Sequence, residues 1–507
     1  MTSLDLPIIE AATLLNELTE LRAVVQHEGD TLYHTWATQL ARPEFAPSAH
    51  NLACYLAFRK HDLMPLQLHL MTWGLSSFQH NQSRVLASLD TVLATLHSIV
   101  QQQPRPLPIP SAFFHGYQLL EANARTVLGP EPPDRRVRIM VTLPTEAATN
   151  YDLVLGMLER GMNCARINCA HDNPDVWTQM LANLRRACTQ IGRTCRLFMD
   201  LGGPKVRTGE INFGERRRLF PGDTILLTRA VPVVNPDYPF QVSCTLPAVL
   251  DQVQVGQSVW FDDGKIGTVV QQIVPEGLLL LIVSARPEGD RLRPEKGINF
   301  PDTVLNVTPL TEKDLRDLDF VVQHADMVGY SFVQSARDIA LLQDAIQQRL
   351  ASVPPRAPLA IVAKIETRPA VANIPEMIVQ AAGQQPFAVM IARGDLAVEV
   401  GFEHLHEMQE QILSICEAAH IPVVMATQVL ENLAKRGTPS RAEVTDAAFA
   451  QRAECVMLNK GCFMLQTVSV LSRMLAALEA HQYKTLAGLR AARIWRDLGP
   501  VEPQEPA

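Results

Sequence analysis

The sequence lacks several features that would place it in a common class of protein. Its nine cysteines show neither CxxC nor Cys/His spacing, which argues against a zinc site and favours reduced thiols over disulfides. No apolar run approaches the ~18 residues needed to cross a bilayer, and the N-terminus has no basic leader with a small-residue cleavage site. The formal net charge of −8 is opposite in sign to that of most general nucleic-acid binders. We therefore expect a cytoplasmic protein without nucleic-acid or membrane partners.

What is present indicates several domains, of which the first is helical. A chain of 507 residues with 47% apolar residues can bury the cores of roughly two to four domains. Leucines recur at helical spacing through the first part of the chain, which predicts an all-helical N-terminal region over residues 1–130. Proline-rich stretches at 101–110 and 129–136 mark a linker and a domain edge. No catalytic constellation is found in this region, and its role is left open.

From Val137 the pattern changes to short apolar runs that alternate with helical patterns. Eight such runs are predicted strands: 137–143, 164–170, 195–201, 326–332, 358–366, 387–393, 422–428 and 455–460. Alternating strands and helices indicate a parallel sheet, and eight strands are the number that closes a (β/α)₈ TIM barrel. A doubly wound open sheet is the competing α/β arrangement, but no GxGxxG motif follows an early strand.

One interval interrupts this alternation. Residues 209–297 contain four β-like runs separated by turn signals such as DDGK and PEG, which predicts a small β-barrel domain inserted into a barrel loop. The barrel would then comprise 135–208 and 298–485, with a long helical pattern over 466–495 and a C-terminal tail at 486–507.

Lysine and glutamate stand together at the end of one predicted strand, in the stretch IVAKIET (361–367). Lys364 and Glu366 are two residues apart and therefore point to the same side of the strand. Burying such a pair is unfavourable unless other groups compensate, so it suggests a site. For one isolated pair, a solvated ion pair at a strand end would be the better interpretation.

Polar residues also end the neighbouring strands, and in a TIM barrel these carboxyl ends form one rim. The set is Arg166, Asn168, His171, Asp200, Lys205, Arg207, Lys364, Glu366, Arg393, Gly394, Asp395, Thr427 and Gln428. Glu366 and Asp395 supply hard oxygen ligands suited to Mg²⁺ or Mn²⁺. Cations beside such a metal would stabilise charge on a transferring phosphoryl group. The rim therefore predicts a site for a divalent metal and a phosphorylated anion.

Seven motifs together resemble the pyruvate kinase family, in that family's order. They are DLGGPKVRTG (200–209), FDDG (261–264), KGINFP (296–301), KIE (364–366), ARGDL (392–396), MATQVLENL (425–433) and SRAE (440–443), and the similarity covers roughly 135–460. The resemblance implies a (β/α)₈ barrel with a mobile β-barrel lid. It also implies a Mg²⁺-dependent, ATP-binding glycolytic enzyme that moves a phosphoryl group from phosphoenolpyruvate to ADP, giving pyruvate and ATP. A homo-oligomer is also expected, and two surfaces could form its subunit contact: the SRAE region, which lies at such a contact in the resembled family, and the helical N-terminal region.

The resemblance also implies a role for individual residues. Lys364 would stabilise the phosphoryl group, Thr427 would organise protonation of the enolate, and Arg166 would contact phosphate. Arg207 is expected among the catalytic residues as well. The remaining assignments are substrate binding by Ala392, Arg393, Gly394 and Asp395, metal binding by Glu366 and Asp395, and nucleotide binding by Asn168, His171, Arg207 and Lys296.

Departures from the family pattern bear on cofactors and control. A serine that helps to bind K⁺ in many members is replaced by Ala170, and Lys205 stands where K⁺-dependent members commonly carry glutamate. A lysine near Asn168 and Asp200 could supply the charge of a bound K⁺, so we expect activity without K⁺. Gly202 and the segment 459–461 also differ from the pattern. The resemblance implies no counterpart in the family for the helical N-terminal region, and we expect this protein to lack the family's usual C-terminal regulatory domain.

Three alternatives remain at the level of sequence. The first is a phosphotransferase with another donor or nucleotide, suggested by Gly202 and the altered segment 459–461. The second is a catalytically weak regulatory or scaffold protein, in which the N-terminal helices bind a partner. The third is a Mg²⁺-dependent lyase or aldolase on the same barrel, which would explain the carboxylates but not the inserted domain.

Overall fold

The computed structural model describes residues 9–101, 103–213, 218–351, 353–479 and the two short strands Gln482–Tyr483 and Leu486–Ala487. The C-terminal tail predicted at 486–507 falls outside the described residues except for Leu486–Ala487. Within the described residues, no helix combines the length and the apolar character that a membrane crossing requires. The nine cysteines all lie in the described part of the chain and form no disulfide.

Eight parallel strands close into a barrel, which confirms the predicted fold class. Their bounds are Arg138–Thr142, Cys164–Asn168, Arg196–Asp200, Met327–Tyr330, Ala360–Ile365, Phe387–Ala392, Val423–Ala426 and Cys455–Leu458. They follow one another around the barrel in chain order, and the eighth pairs with the first. We refer to them as the first to eighth barrel strands. Apolar side chains fill both faces, as is expected of strands covered by helices.

Helices surround the barrel in the alternation that the sequence predicts. They are Tyr151–Glu159, Pro174–Ile191, Glu312–His324, Ala336–Leu350, Arg368–Ala372, Ile374–Ala382, Arg393–Val400, Leu405–Ala418, Glu431–Arg436, Arg441–Phe449 and Met464–Glu479. Three of them begin at capping boxes formed by Thr311, Ser335 and Ser440, whose side chains accept N–H bonds that the first turn leaves open. The helical pattern predicted over 466–495 is realised as far as Glu479, after which Gln482–Tyr483 pairs with Leu486–Ala487. Residues 488–495 of this prediction lie outside the described residues.

A seven-stranded sheet is inserted between the third and fourth barrel strands. From one edge to the other its strands are Ile298–Asn299, Ser258–Phe261, Ile266–Val274, Gly277–Ser284, Thr224–Thr228, Gln241–Cys244 and Thr208–Asn212. All neighbours are antiparallel except Thr224–Thr228 and Gln241–Cys244, which run parallel. Its apolar side chains form a core of their own. Four of these strands were predicted; the first, sixth and seventh in this order were missed because their sequences, IN, QVSC and TGEIN, contain no run of apolar residues.

The N-terminal region consists of helices that share a core with the outside of the barrel. Their bounds are Ala11–Ala37, Ala46–Phe58, Met64–Thr72, Val85–Gln101, Pro110–Phe113 and His115–Leu128. At the end of the last helix, Val127 and Leu128 join the apolar cluster inside the barrel, beside Met140 and Phe198. This helix therefore closes the amino ends of the barrel strands, opposite the rim where the polar residues collect.

Candidate active site

Lys364 lies at the centre of the charged rim, near the end of the fifth barrel strand. Its Nζ donates to Ser331 Oγ at 2.6 Å and lies 3.2 Å from Glu366 Oε1 and 3.5 Å from Asp200 Oδ1. Burial disfavours the charged amine, but the two carboxylates outweigh burial and raise the pKa of Lys364. The site therefore holds a buried, protonated lysine, which is suited to meet an anion.

Asp200 is the carboxylate that contacts both Lys364 and Arg166. It ends the third barrel strand and is 1% exposed. Arg166 donates from Nε and Nη2 to Asp200 Oδ2 at 2.9 and 2.6 Å, and from Nη1 to Thr142 Oγ1 at 2.9 Å. Burial alone would raise the pKa of Asp200, but Lys364 and Arg166 outweigh it and lower that pKa. Asp200 thus stays ionised and fixes the positions of both cations.

Glu366 and Asp395 are the two carboxylates predicted to bind the metal, and both are largely buried. Glu366 Oε2 accepts the N–H of Phe332 at 2.7 Å, and burial followed by the charge of Asp395 keeps the pKa of Glu366 raised despite the nearby Lys364. Burial also opposes ionisation of Asp395, but Lys205 outweighs it and lowers the pKa of Asp395. Two like charges enclosed together need a cation between them, and carboxylate oxygens are the ligands that Mg²⁺ and Mn²⁺ take in proteins. The donor set therefore fits the predicted metal.

The protein supplies few ligands for such an ion. Among the side chains that the structure describes, no group of three or more His, Cys, Asp or Glu residues is placed to bind a metal. Mg²⁺ commonly uses one or two carboxylates and takes its other ligands from water and substrate phosphates. A two-carboxylate site is therefore in keeping with an ion that binds together with a phosphorylated substrate.

Lys205 was expected near Asn168 and Asp200, but the ion pair that the structure gives it is with Asp395. Its Nζ lies 2.8 and 2.9 Å from the two oxygens of Asp395. The reason is topological, because Lys205 leads from the third barrel strand into the inserted sheet and lies against Gly297, where the chain returns. Asn168 instead accepts the N–H of Ala170 at 3.1 Å. Lys205 still places a fixed positive charge on the rim.

The loop after the seventh barrel strand carries Thr427 in a strained conformation. Its φ is 63°, which is unusual for a β-branched residue. Two contacts hold it: Gly394 N–H donates to Thr427 Oγ1 at 2.9 Å, and Arg393 Nη2 donates to Thr427 O at 2.5 Å. Arg393 is also paired with Asp446 and is 4% exposed, so its side chain stabilises the loop that carries Thr427. Of the residues 392–395 that were predicted to bind substrate, Gly394 thus already has a partner for its backbone N–H.

The residues predicted for the nucleotide lie where the inserted sheet meets the barrel. Arg207 donates to the carbonyl of Glu295 at 3.1 Å, and Lys296 Nζ lies 2.9 Å from Asp262 Oδ1. The pKa of His171 is lowered by burial and by the positive charges of Lys460, Arg207 and Arg166, with Asp172 acting in the opposite direction. His171 and Arg207 therefore lie in an electropositive environment, which is suited to binding phosphate groups.

Three polar residues of the site were missed by sequence reasoning. Ser331 accepts from Lys364 and donates to Leu201 O at 2.7 Å. Asn299 Nδ2 lies 3.5 Å from Asp395 Oδ1 and 3.4 Å from Glu399 Oε1. Burial raises the pKa of Glu399 to about 7. Glu399 follows Asp395 by four residues, which places both on one face of helix Arg393–Val400; that spacing was the available signal.

Comparison with known proteins gives the same family for most of the chain. Residues 134–464 match the family model described as pyruvate kinase, barrel domain. Pyruvate kinase PKLR of Rattus norvegicus is 31% identical over 418 residues, which cover 78% of this chain and 68% of the relative. Pyruvate kinase of Geobacillus stearothermophilus is 31% identical over 64% of this chain and 53% of its own length. A crystal structure of a pyruvate kinase from Cryptosporidium parvum superimposes with a TM-score of 0.60 at 28% identity, over 69% of this chain and 72% of that chain.

Proposed function

The chain belongs to the pyruvate kinase family of kinases, and we propose that it transfers a phosphoryl group from phosphoenolpyruvate to ADP, giving pyruvate and ATP as in glycolysis. The observation that carries this proposal is the position of Lys364. Its buried, protonated amine is oriented by Asp200, Glu366 and Ser331 on the rim where TIM barrels bind their substrates.

The groups around Lys364 would each have a separate role in phosphoryl transfer. Lys364 and Arg166 would neutralise the phosphoryl oxygens while the bond to the enol oxygen breaks and the bond to the ADP oxygen forms. Both cations are fixed by Asp200, so little reorganisation is needed as charge develops. Arg207, His171 and Lys296 would hold the phosphates of the nucleotide. The inserted sheet would exclude water, which would otherwise accept the phosphoryl group.

The enolate that remains must take up a proton at carbon to become pyruvate. Thr427 Oγ1 is held by the Gly394 N–H, so its hydroxyl hydrogen can point to a water or to the substrate. A threonine hydroxyl is too weak an acid to protonate carbon alone. Thr427 would therefore position a water that relays the proton.

Glu366 and Asp395 would hold Mg²⁺ or Mn²⁺, and the bound ion would supply further neutralisation of the phosphate charge. Both oxygens of Asp395 contact Lys205 here, so metal binding and this ion pair compete for one carboxylate. Lys205 would provide the positive charge that a bound K⁺ otherwise provides, and activity would not require K⁺.

The first experiment is pyruvate formation from phosphoenolpyruvate and ADP with Mg²⁺, comparing K⁺ with tetramethylammonium as the only monovalent cation. Equal rates are expected for the natural chain, and Lys205→Glu should become dependent on K⁺. Lys60→Glu is the matched control, because Lys60 is largely exposed and remote from the rim. Activity of the natural chain only with K⁺ would contradict the role of Lys205. No pyruvate in either salt, from folded protein that binds Mg²⁺, would contradict the proposed reaction.

A further inference from the structure

The inserted sheet carries a strongly basic cleft whose lining residues, apart from Lys296, have no part in the proposed reaction. Its volume is about 640 Å³, and six of its lining side chains are cationic: Arg218, Lys265, Arg286, Arg291, Arg293 and Lys296. Among the lining residues that the structure describes, the carboxylates are Asp262 and Asp290. We call this the basic cleft. These described residues carry an excess of four positive charges, in a chain whose formal net charge is −8.

The two carboxylates are already engaged with particular cations. Asp290 is 2% exposed, lies 2.6 Å from Arg286 Nη2 and accepts the backbone N–H of Arg286 at 2.8 Å. Asp262 lies 2.7 Å from Lys265 Nζ and 2.9 Å from Lys296 Nζ. These pairs orient one wall of the cleft and leave the charge of the other guanidinium groups for a ligand.

The frame of the basic cleft is fixed by backbone contacts. Leu219 and Asp290 exchange both backbone hydrogen bonds, at 2.9 and 3.0 Å. Arg218 Nη1 donates to the carbonyls of Glu288 and Gly289 at 2.9 and 2.7 Å. Gly289 has a φ of 76°, and a Cβ there would lie 2.7 Å from the ring of Phe220. The turn therefore packs tightly on Phe220 and presents its arginines from a defined backbone.

From this arrangement we propose that the basic cleft binds a small molecule with two or more phosphate groups, at a site separate from the catalytic rim. Guanidinium groups bind phosphate through pairs of parallel N–H bonds, and several in one cleft suit a ligand with several phosphates. The volume is within the range of small-molecule sites, which is roughly 300–1,000 Å³. Four positive charges without an anion would repel one another, whereas a polyanion would relieve that repulsion.

Only one edge of the basic cleft adjoins the predicted nucleotide site, through Lys296 and its partner Asp262. Arg291 and Arg293 are exposed and belong to the cleft alone. They allow the cleft to be changed without touching the residues assigned to catalysis. The inference is also independent of the proposed reaction, because it is tested by measuring ligand affinity and not enzyme turnover.

The test is calorimetric titration of inorganic tripolyphosphate into the full chain, without divalent metal and without nucleotide. We expect saturable binding that Arg291→Gln with Arg293→Gln weakens about tenfold or more, since each lost charged hydrogen bond is worth roughly tenfold in affinity. Arg291→Lys with Arg293→Lys should keep part of the affinity, because charge remains but the paired geometry is lost. Arg316→Gln with Arg337→Gln, two exposed arginines on barrel helices, is the matched control and should leave binding unchanged.

Two results would overturn the inference. The first is binding of the same strength in the Arg291→Gln, Arg293→Gln chain, shown to be folded by circular dichroism. The second is that His171→Ala with Arg207→Gln, in a chain shown to be folded, removes all tripolyphosphate binding, which would place the anion in the nucleotide site. Either result can be obtained whether or not the chain makes pyruvate, so failure here is distinguishable from failure of the proposed reaction.

Discussion

The two ends of the barrel are made by the same eight strands and differ in chemistry. At the carboxyl ends, Lys364 and Arg166 meet buried carboxylates, and these contacts raise the pKa of Lys364 and lower that of Asp200. At the amino ends, Val127 and Leu128 fill the interior, and Arg138 donates to the backbone carbonyls of Gly129 and Arg136 and lies 3.6 Å from Glu131 Oε1. The comparison teaches that one end retains costly charges that a ligand can use, while the other end is sealed and stabilises the fold.

The largest effect should come from the charged end. Lys364→Met removes the cation between Asp200 and Glu366 and should lower kcat by about 10³-fold or more, because the transferring group loses its fixed positive partner. Steady-state pyruvate formation measures this, with Lys60→Met as the control for loss of an exposed lysine. If Lys364→Met kept near-normal kcat, the charged end would not be the catalytic end.

A substitution at the sealed amino end should lower stability and leave kcat unchanged. Leu128→Ala leaves a void among buried side chains and should lower the free energy of unfolding by about 2–4 kcal/mol, with kcat unchanged. Chemical denaturation and kinetics below the melting temperature measure the two effects. Leu107→Ala serves as the control, since Leu107 is 57% exposed in the proline-rich linker. A large loss of kcat in folded Leu128→Ala would show that the two ends are coupled.

The charged end should also make stability depend on pH, through Glu399. Burial raises its pKa from an ordinary 4.5 to about 7. Between these values the folded chain keeps a proton that the unfolded chain releases, so the contribution of Glu399 to stability is greatest below pH 4.5 and falls as pH rises towards 7. Glu399→Gln stays neutral and should be more stable than the natural chain at pH 8 by about 2–3 kcal/mol, but not at pH 4. Denaturation midpoints across this range measure it; an equal difference at both pH values would contradict the assignment.

A smaller effect is expected where the N-terminal helices meet the sealed end. His420 Nε2 must donate to the carbonyl of Ser83, at 3.0 Å, so in the neutral ring Nδ1 accepts from Ser48 Oγ, at 2.8 Å. Ser48→Ala removes this donor and should lower the free energy of unfolding by about 1 kcal/mol, with kcat unchanged. Ser469→Ala is a suitable control, because Ser469 Oγ bonds only to its own helix, at Leu465 O. Equal stability of the two variants would mean that the Ser48 contact contributes nothing.

Much of the barrel could be predicted because each strand is a short apolar run. Burial on both faces requires such runs, and their alternation with helical patterns leaves few arrangements. The topology then brings distant strand ends together, which is why Lys364, Glu366 and Asp395 could be grouped from sequence. The helix that ends at Glu479 was predicted too long, because the pattern after it continues at helical spacing although the chain forms a hairpin.

The sequence by itself determined the barrel, the insertion, the family and the charged residues at the strand ends, because these follow from local patterns and short motifs. Only the tertiary structure decided which charges pair. Lys205 lies on Asp395 because the inserted sheet directs the chain there, and Asn299 reaches Glu399 across that same junction. It also decided that Leu128 seals the barrel and that six basic side chains of the inserted sheet share one cleft. Such contacts join residues far apart in the chain, and their distances depend on how separate elements pack, which no local pattern records.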